Sequence, residues 1–265
     1  MLPLIAEPAE LIPLLGHDKL LIIDLCRQEN FNRAHIPGAV HVEPAELVSG
    51  TKPATGKLPD SERLHALFSR IGYTPDLHIL AYDDEGGGWA GRFIWTLDVI
   101  GHSQASALNG GLLAWVDARG PLSNELTGRE PTNPVLTIDR SVIAEKEDVL
   151  ASLNDENTVI WDARSAEEYA GIRRVSDRAG HIPGAINLDW QLAMDQNRQL
   201  RIRADIADVL NQLGITPDKK VITHCQSHHR SGLTYLIGKS LGYDIRGYHG
   251  SWSEWGNDPD TPVEI

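Results

Sequence analysis

The run Cys225-Gln226-Ser227-His228-His229-Arg230 puts a nucleophile, two imidazoles and a guanidinium within six residues. A free thiol ionises at a pH of about 8.5. Nearby cations or a helix N-terminus lower that to roughly 3.5 to 7.5, giving a thiolate able to attack sulfur at neutral pH. Cys225 is therefore the candidate catalytic residue. Arg230 is charged at any physiological pH, whereas an unperturbed histidine titrates at about 6.5. Gln226, Ser227, His228, His229 and Arg230 form the candidate substrate-binding set. The chain as a whole carries a formal charge of -13, so an anionic substrate would depend on this local group of cations.

The thiol also needs elements to hold it. Residues 221–224 before it read as a buried strand, and the apolar run from Leu233 to Leu241 after it reads as a helix. A cysteine on a short loop between strand and helix lies at the carboxyl end of the sheet, where open α/β sheets bind ligands. Loop amides there can turn inward around an anion, and the helix adds the positive end of its dipole.

The chain repeats itself. Asp24-Leu25-Cys26-Arg27 and the following Ala34-His35-Ile36-Pro37-Gly38-Ala39 return as Asp162-Ala163-Arg164 and Ala179-Gly180-His181-Ile182-Pro183-Gly184-Ala185, with an insertion around Gly171 to Arg178 in the second copy. Gly72-Tyr73-Thr74-Pro75-Asp76 returns as Gly214-Ile215-Thr216-Pro217-Asp218, and Gly110-Gly111 through Trp115 is echoed by Gly250-Ser251 through Trp255. Strands are expected over residues 20–25, 78–82, 159–161 and 221–224, with amphipathic helices over 61–71 and 204–213. This pattern predicts an α/β fold built twice, each half a mainly parallel sheet flanked by helices. A length of 265 residues suits two domains of about 130. The Gly- and Pro-bearing stretch after Gly120 reads as a linker, which divides the chain into 1–120, a linker at 121–135, and 136–265.

Aligning the copies through the shared Thr-Pro-Asp turn sets Asp83 opposite Cys225. Asp83 is no sulfur nucleophile, and the acidic run Asp83-Asp84-Glu85 would repel an anionic donor. The first half thus reads as a partner that covers the catalytic face. Cys26, one residue after the expected strand and not followed by a His-His-Arg loop, reads as a core cysteine. His35 and His181 occur in both copies, only one of which has a nucleophile, so they read as turn-fixing residues. The negative charge argues against nucleic acid or an anionic membrane as partner. No apolar run approaches the roughly 20 residues of a membrane span, and the N-terminus lacks the basic region of a secretory signal, so a cytoplasmic location is expected.

These residues resemble, over essentially the whole chain, the tandem-domain rhodanese family of thiosulfate and mercaptopyruvate sulfurtransferases. The paired His-Ile-Pro-Gly-Ala motifs, Asp162-Ala163-Arg164 and the closing Gly250-Ser251-Trp252-Ser253-Glu254-Trp255-Gly256 carry the resemblance. It implies an inactive first domain and a catalytic second one, with Cys225 opening a six-residue loop and Asp83 in its place in the inactive half. The Cys-Gln-x-His-His-Arg loop resembles a bacterial subgroup. The implied activity moves sulfane sulfur from thiosulfate or a related donor, through a Cys225 persulfide, to cyanide or a thiol, with protein sulfur acceptors as candidate partners and without cofactor or metal. Asp162, Arg164 and Arg178 are candidate supports beneath the loop. Mercaptopyruvate enzymes of the family place an arginine just before the aromatic residue that follows Asp-x-Arg. Here Glu168 precedes Tyr169, which favours thiosulfate or a small persulfide as donor unless Arg173, Arg174 or Arg178 compensates.

The competing readings are a mercaptopyruvate sulfurtransferase, a persulfide carrier serving biosynthetic partners, and a phosphatase or arsenate reductase. Phosphate-cradling loops of related folds are written Cys-x5-Arg, and the ring from Cys225 to Arg230 is one residue shorter, which suits a single sulfur atom better than a phosphate. His224, Cys225, His228 and His229 are residue types that bind zinc, but so tight a loop does not aim all four at one centre.

Overall fold

Each half of the chain builds a five-stranded, wholly parallel sheet in the computed structural model, which describes residues 2–265. The first sheet contains β1 (Ile5–Ala6), β2 (Leu20–Asp24), β3 (Ala39–His41), β4 (His78–Tyr82) and β5 (Ala105–Leu108), in the order β1-β5-β4-β2-β3. The second contains β6 (Ile143–Ala144), β7 (Thr158–Asp162) and β8 (Ile186–Asn187), then, past a small antiparallel hairpin of β9 (Met194–Asp195) and β10 (Arg201–Ile202), β11 (Lys220–His224) and β12 (Asp244–Tyr248). Its order, β6-β12-β11-β7-β8, is the first order renumbered. The repeat in the sequence is thus a repeat of topology.

Strands covered on both faces must be apolar throughout rather than alternating. Leu21-Ile22-Ile23-Asp24 and Ile79-Leu80-Ala81-Tyr82 are buried at every position, and each sheet separates two apolar clusters. The helices expected over 61–71 and 204–213 run Ser61–Arg70 and Ile206–Gln212. The helix expected from Leu233 begins earlier, at Arg230, and continues to Ser240. Arg230 is therefore its first residue, and the loop after β11 spans only residues 225–229.

The two halves meet through the helix Gly88–Val99 of the first and Arg230–Ser240 of the second. Trp95 and Val99 join the apolar cluster of the second half, and Leu236 joins that of the first. So close a crossing requires small residues: a β-carbon on Gly232 would lie 2.5 Å from the backbone nitrogen of Arg92. Because these helices directly follow the loops after β4 and β11, the crossing brings both loops to one seam. Residues 124–139 hold no strand or helix. No helix among the described residues is long and apolar enough to cross a membrane.

Candidate active site

Register sets the two loops in correspondence. Asp24 pairs with Tyr82 and Asp162 with His224, so Asp83 and Cys225 each stand one residue beyond the fourth strand of their sheet. Each is followed by a helix that starts five residues later, at Gly88 and Arg230. Both loops also turn through a left-handed residue at the same place, Gly86 (φ 99°) and His228 (φ 56°). In the first half the loop closes around a carboxylate. Asp83 Oδ1 accepts from the amides of Glu85 (3.2 Å), Gly86 (3.1 Å) and Gly87 (2.8 Å), and Oδ2 accepts from Ala90 (3.0 Å). Burial and then Glu85 raise the Asp83 carboxyl above its ordinary value, and the amides offset only part of this. This backbone path makes a cradle for a negatively polarised atom.

In the second half the corresponding loop surrounds Cys225, which is 1% exposed; the two paths part at the fifth position, where Gly87 is left-handed (φ 100°) and His229 is not (φ -92°). Burial opposes ionisation of the thiol. Arg230, hydrogen bonds from the Ser231 side chain and amide, and His229 outweigh it, and they hold Cys225 below its ordinary value. The closing segment takes up the backbone polar groups behind the loop: Trp252 N–H donates to Cys225 O (2.9 Å), Ser253 N–H to Gln226 O (2.9 Å), and Cys225 N–H to Ser251 Oγ (3.4 Å). Leu112 N–H to Asp83 O (2.8 Å) is the matching bond in the first half. The Gly-Ser-Trp echo in the sequence is thus the back wall of the cradle. Cys26, as buried as Cys225, differs in its electrostatics. It is fully buried, and burial with Asp24, Asp84 and Asp83 pushes its thiol far up, so it stays protonated.

The remaining predicted residues separate into several positions. Arg230 donates to both oxygens of Glu168, at 2.6 and 3.0 Å. Burial works against both charges, but the pair holds the Glu168 carboxyl down and the Arg230 guanidinium up. The carboxylate that stands where mercaptopyruvate enzymes are expected to carry an arginine is therefore the counter-ion of the loop cation. His229 stacks on Trp89 of the first half at 4.3 Å, meets Trp190 edgewise at 5.6 Å, and donates from Nε2 to Glu85. His228 turns inward instead. It is fully buried, hydrogen bonded through Nδ1 to Ser231 Oγ (2.7 Å) and set against Trp95, and burial together with Arg92 drives its pKa far down, leaving it neutral. Gln226 reaches the insertion, donating to Ser176 Oγ at 3.2 Å, and the backbone of Ser227 is covered by Gly56 of the first half.

Asp162 and Arg164 form a buried ion pair beside the loop, with Arg164 Nη2 2.5 Å from Asp162 Oδ2 and its guanidinium 4.4 Å from the Trp252 ring. Burial opposes the Asp162 charge, and His224 and Arg164 keep it ionised. Arg178 does not reach the loop. It donates to the carbonyls of Trp255 (2.7 Å), Thr261 (2.6 Å) and Asp258, and so ties down the C-terminal segment. His35 and His181 each donate from Nδ1 to a carbonyl in the last turn of a helix, Phe31 O at 2.8 Å and Tyr169 O at 2.9 Å, beside the isolated bridges His35–Ser123 and His181–Glu264. Among the described residues no group of three or more His, Cys, Asp or Glu side chains is disposed to hold a metal ion.

Three residues of the site escape sequence reasoning, Trp89 and Arg92 from the first half and Ser231, and a fourth, Glu85, enters it only as part of a repelling acidic run. Arg92 is fully buried, with Nε and Nη1 lacking a hydrogen-bond partner and Nη2 2.7 Å from Leu47 O. Burial pushes its pKa down to about 9, and the Cys225 thiolate acts in the opposite sense. Its signal in the sequence is a lone cation in the apolar helix Gly88–Val99.

A family model described as a rhodanese-like domain matches the chain twice, at residues 7–118 and 145–258. Thiosulfate sulfurtransferases of Pseudomonas aeruginosa and Azotobacter vinelandii are 51% and 50% identical over 265 residues, covering 100% of this chain and 98% of each relative. A solved structure of an EanB variant in complex with ergothioneine superposes with a TM-score of 0.84 at 22% identity, over 97% of this chain and 67% of that one, a likeness of fold.

Proposed function

The chain belongs to the rhodanese family, and on that premise we propose that it is a sulfurtransferase that moves sulfane sulfur from thiosulfate to a thiophilic acceptor through a persulfide on Cys225. The observation that carries this reading is the matched pair of loops. The loop position that holds Asp83 among four amides in the first half holds, in the second, a thiol that Arg230 and Ser231 keep below its ordinary pKa.

The reaction is a double displacement. The Cys225 thiolate attacks the outer sulfur of thiosulfate, a new S–S bond forms, and the bond to the sulfonate sulfur breaks with its electron pair leaving on sulfite. The terminal persulfide sulfur is then attacked by cyanide or a thiolate, and the electron pair of the S–S bond returns to Cys225. Both steps begin and end with one negative charge on sulfur at the loop. Fixed donors aimed at that charge stabilise it without reorganising. In this reading Arg230, the Ser231 amide and hydroxyl, and His229 serve that purpose, and Asp162–Arg164 and Trp252 hold the loop from beneath. Glu168 neutralises part of the Arg230 charge and lies where a carboxylate-bearing donor would meet it, which favours thiosulfate over mercaptopyruvate.

Cys225→Ala should abolish transfer to cyanide, and wild-type protein treated with thiosulfate should gain the mass of one sulfur atom on the peptide containing Cys225. Turnover near wild type in the variant, or no such adduct, would end the case for covalent transfer. Parallel kinetics with thiosulfate and mercaptopyruvate should show the higher kcat/KM with thiosulfate.

A further inference from the structure

The half without a nucleophile contributes side chains to the other half's site. After Asp83 the chain runs Asp84-Glu85-Gly86-Gly87 into the helix that opens with Gly88-Trp89, and Glu85, Gly88 and Trp89 converge on His229. Glu85 accepts from Nε2, Trp89 lies under the ring at 4.3 Å with an interplanar angle of 25°, and Gly88 leaves room for both. A β-carbon at Gly88 would sit 2.6 Å from His229 Nε2 and 3.0 Å from Glu85 Oε1. Trp190 closes the remaining edge. An imidazole gripped on one face, one edge and one nitrogen has little rotamer freedom left. It stands four residues from the thiol, on the loop that wraps it.

We infer that Glu85 and Trp89 are positioning residues that fix His229 beside the Cys225 sulfur, so that the domain lacking a thiol completes the electrostatics of the domain that has one. The inference rests on the sulfurtransferase reading for its kinetic consequence, although the geometry stands without it. A carboxylate that accepts from one imidazole nitrogen sets the ring's tautomer and orientation, as in carboxylate-histidine pairs generally. Set this way, the ring adds to the charge that favours the thiolate, and the contribution of His229 to lowering the Cys225 pKa accords with this. The other charged or titratable groups near the loop are Arg230, the neutral His228, Glu168 paired with Arg230, and the buried Arg92, whose charge acts on His228. None of them restrains the imidazole as Glu85 and Trp89 do. In the first half the cradle is filled by Asp83, so the residues after it are free for this second use.

The test compares Glu85→Gln and Trp89→Leu with wild type in two assays. The first is the pH dependence of iodoacetamide alkylation at Cys225, which needs no sulfur transfer. The second is single-turnover persulfide formation from thiosulfate. Both variants should move the alkylation midpoint upward by about one pH unit and slow persulfide formation about tenfold at neutral pH. Both effects should vanish in a His229→Asn background, where the ring to be positioned is gone. Trp89→Phe should restore most of the rate, and unchanged thermal unfolding of Glu85→Gln would separate positioning from a folding defect. Alkylation midpoints and turnover matching wild type in both variants, or equal losses in the His229→Asn background, would overturn the inference. An inactive wild type with a shifted midpoint in the variants would instead refute the sulfurtransferase reading and leave the positioning intact.

Discussion

Removal of Arg230 should change stability and chemistry in ways that separate cleanly. Glu168 is 4% exposed and its two oxygens lie 2.6 and 3.0 Å from the guanidinium. Breaking a buried pair by deleting one member costs about 3–5 kcal/mol, because the other charge is stranded. The Arg230 side chain keeps 20% of its exposure, so water can reach the vacated space, and a loss of about 2–3 kcal/mol is expected at neutral pH for Arg230→Ala. The pH dependence carries the sign. In wild type the folded Glu168 titrates below its unfolded value, so its contribution is present above about pH 4.5 and fades as the pH falls through the lower folded value. In Arg230→Ala burial remains and the cation is gone, so the carboxyl titrates above the unfolded value. The deficit should then be greatest at pH 7.5 and narrow toward pH 4.5.

Urea denaturation of wild type and variant at both pH values measures this directly. The double variant Arg230→Met with Glu168→Gln should recover most of the stability, since no charge is left stranded. It should not recover the reactive thiol, because Arg230 is the strongest of the groups that pull the Cys225 pKa down. A deficit that stays constant with pH, or a double variant as unstable as Arg230→Ala, would refute the assignment of Glu168 as the buried counter-ion. Recovery of a low thiol midpoint in the double variant would refute the role given to Arg230.

Two further outcomes test the fold around the site. Iodoacetamide should label Cys225 in the native protein and spare Cys26 until denaturant is added, and equal native labelling on peptide mapping would contradict the opposite pKa directions of the two thiols. Gly232→Ala should destabilise by about 3 kcal/mol, because the new methyl meets the Arg92 backbone nitrogen at 2.5 Å and the helices must move apart. A loss below about 0.5 kcal/mol in chemical denaturation would show that the helix crossing tolerates a side chain.

Much of this arrangement could be read from the chain because the repeat supplies its own alignment. Asp76 and Asp218 each precede the loop position by seven residues, so Asp83 and Cys225 fell opposite one another before any strand register was known. Parallel strands buried on both faces announce themselves as unbroken apolar runs, as at Leu21–Ile23 and Ile79–Ala81. What stayed hidden depends on direction and docking, which periodicity does not encode. His228 and His229 are the same residue type in adjacent positions, yet the left-handed backbone at His228 sends one ring into the core and leaves the other at the seam. Glu85, Trp89 and Arg92 are more than 130 residues from Cys225 and reach it only because two helices cross at Gly232. Arg178 stands on an insertion absent from the first copy, so the repeat offered no counterpart by which to place it.

The two copies together explain how a chain with a charge of -13 handles an anion. Net charge acts over distances that salt screens within about 10 Å, whereas the loop amides act in contact and carry no net charge at all. The cradle around Asp83 is made by its backbone path, and around Cys225 the Arg230 charge and the Ser231 donors act on the sulfur. With Asp83 the carboxylate is part of the chain, its four amide bonds are permanent, and the loop is left as a scaffold. With Cys225 the occupant is a sulfur that can be extended by one atom and shortened again. One sheet-and-helix plan thus serves a fixed side-chain acceptor in one copy and an exchangeable sulfur in the other, and the copies differ in the first residue of the loop, in the backbone at Gly87 and His229, and in the cations gathered around the thiol.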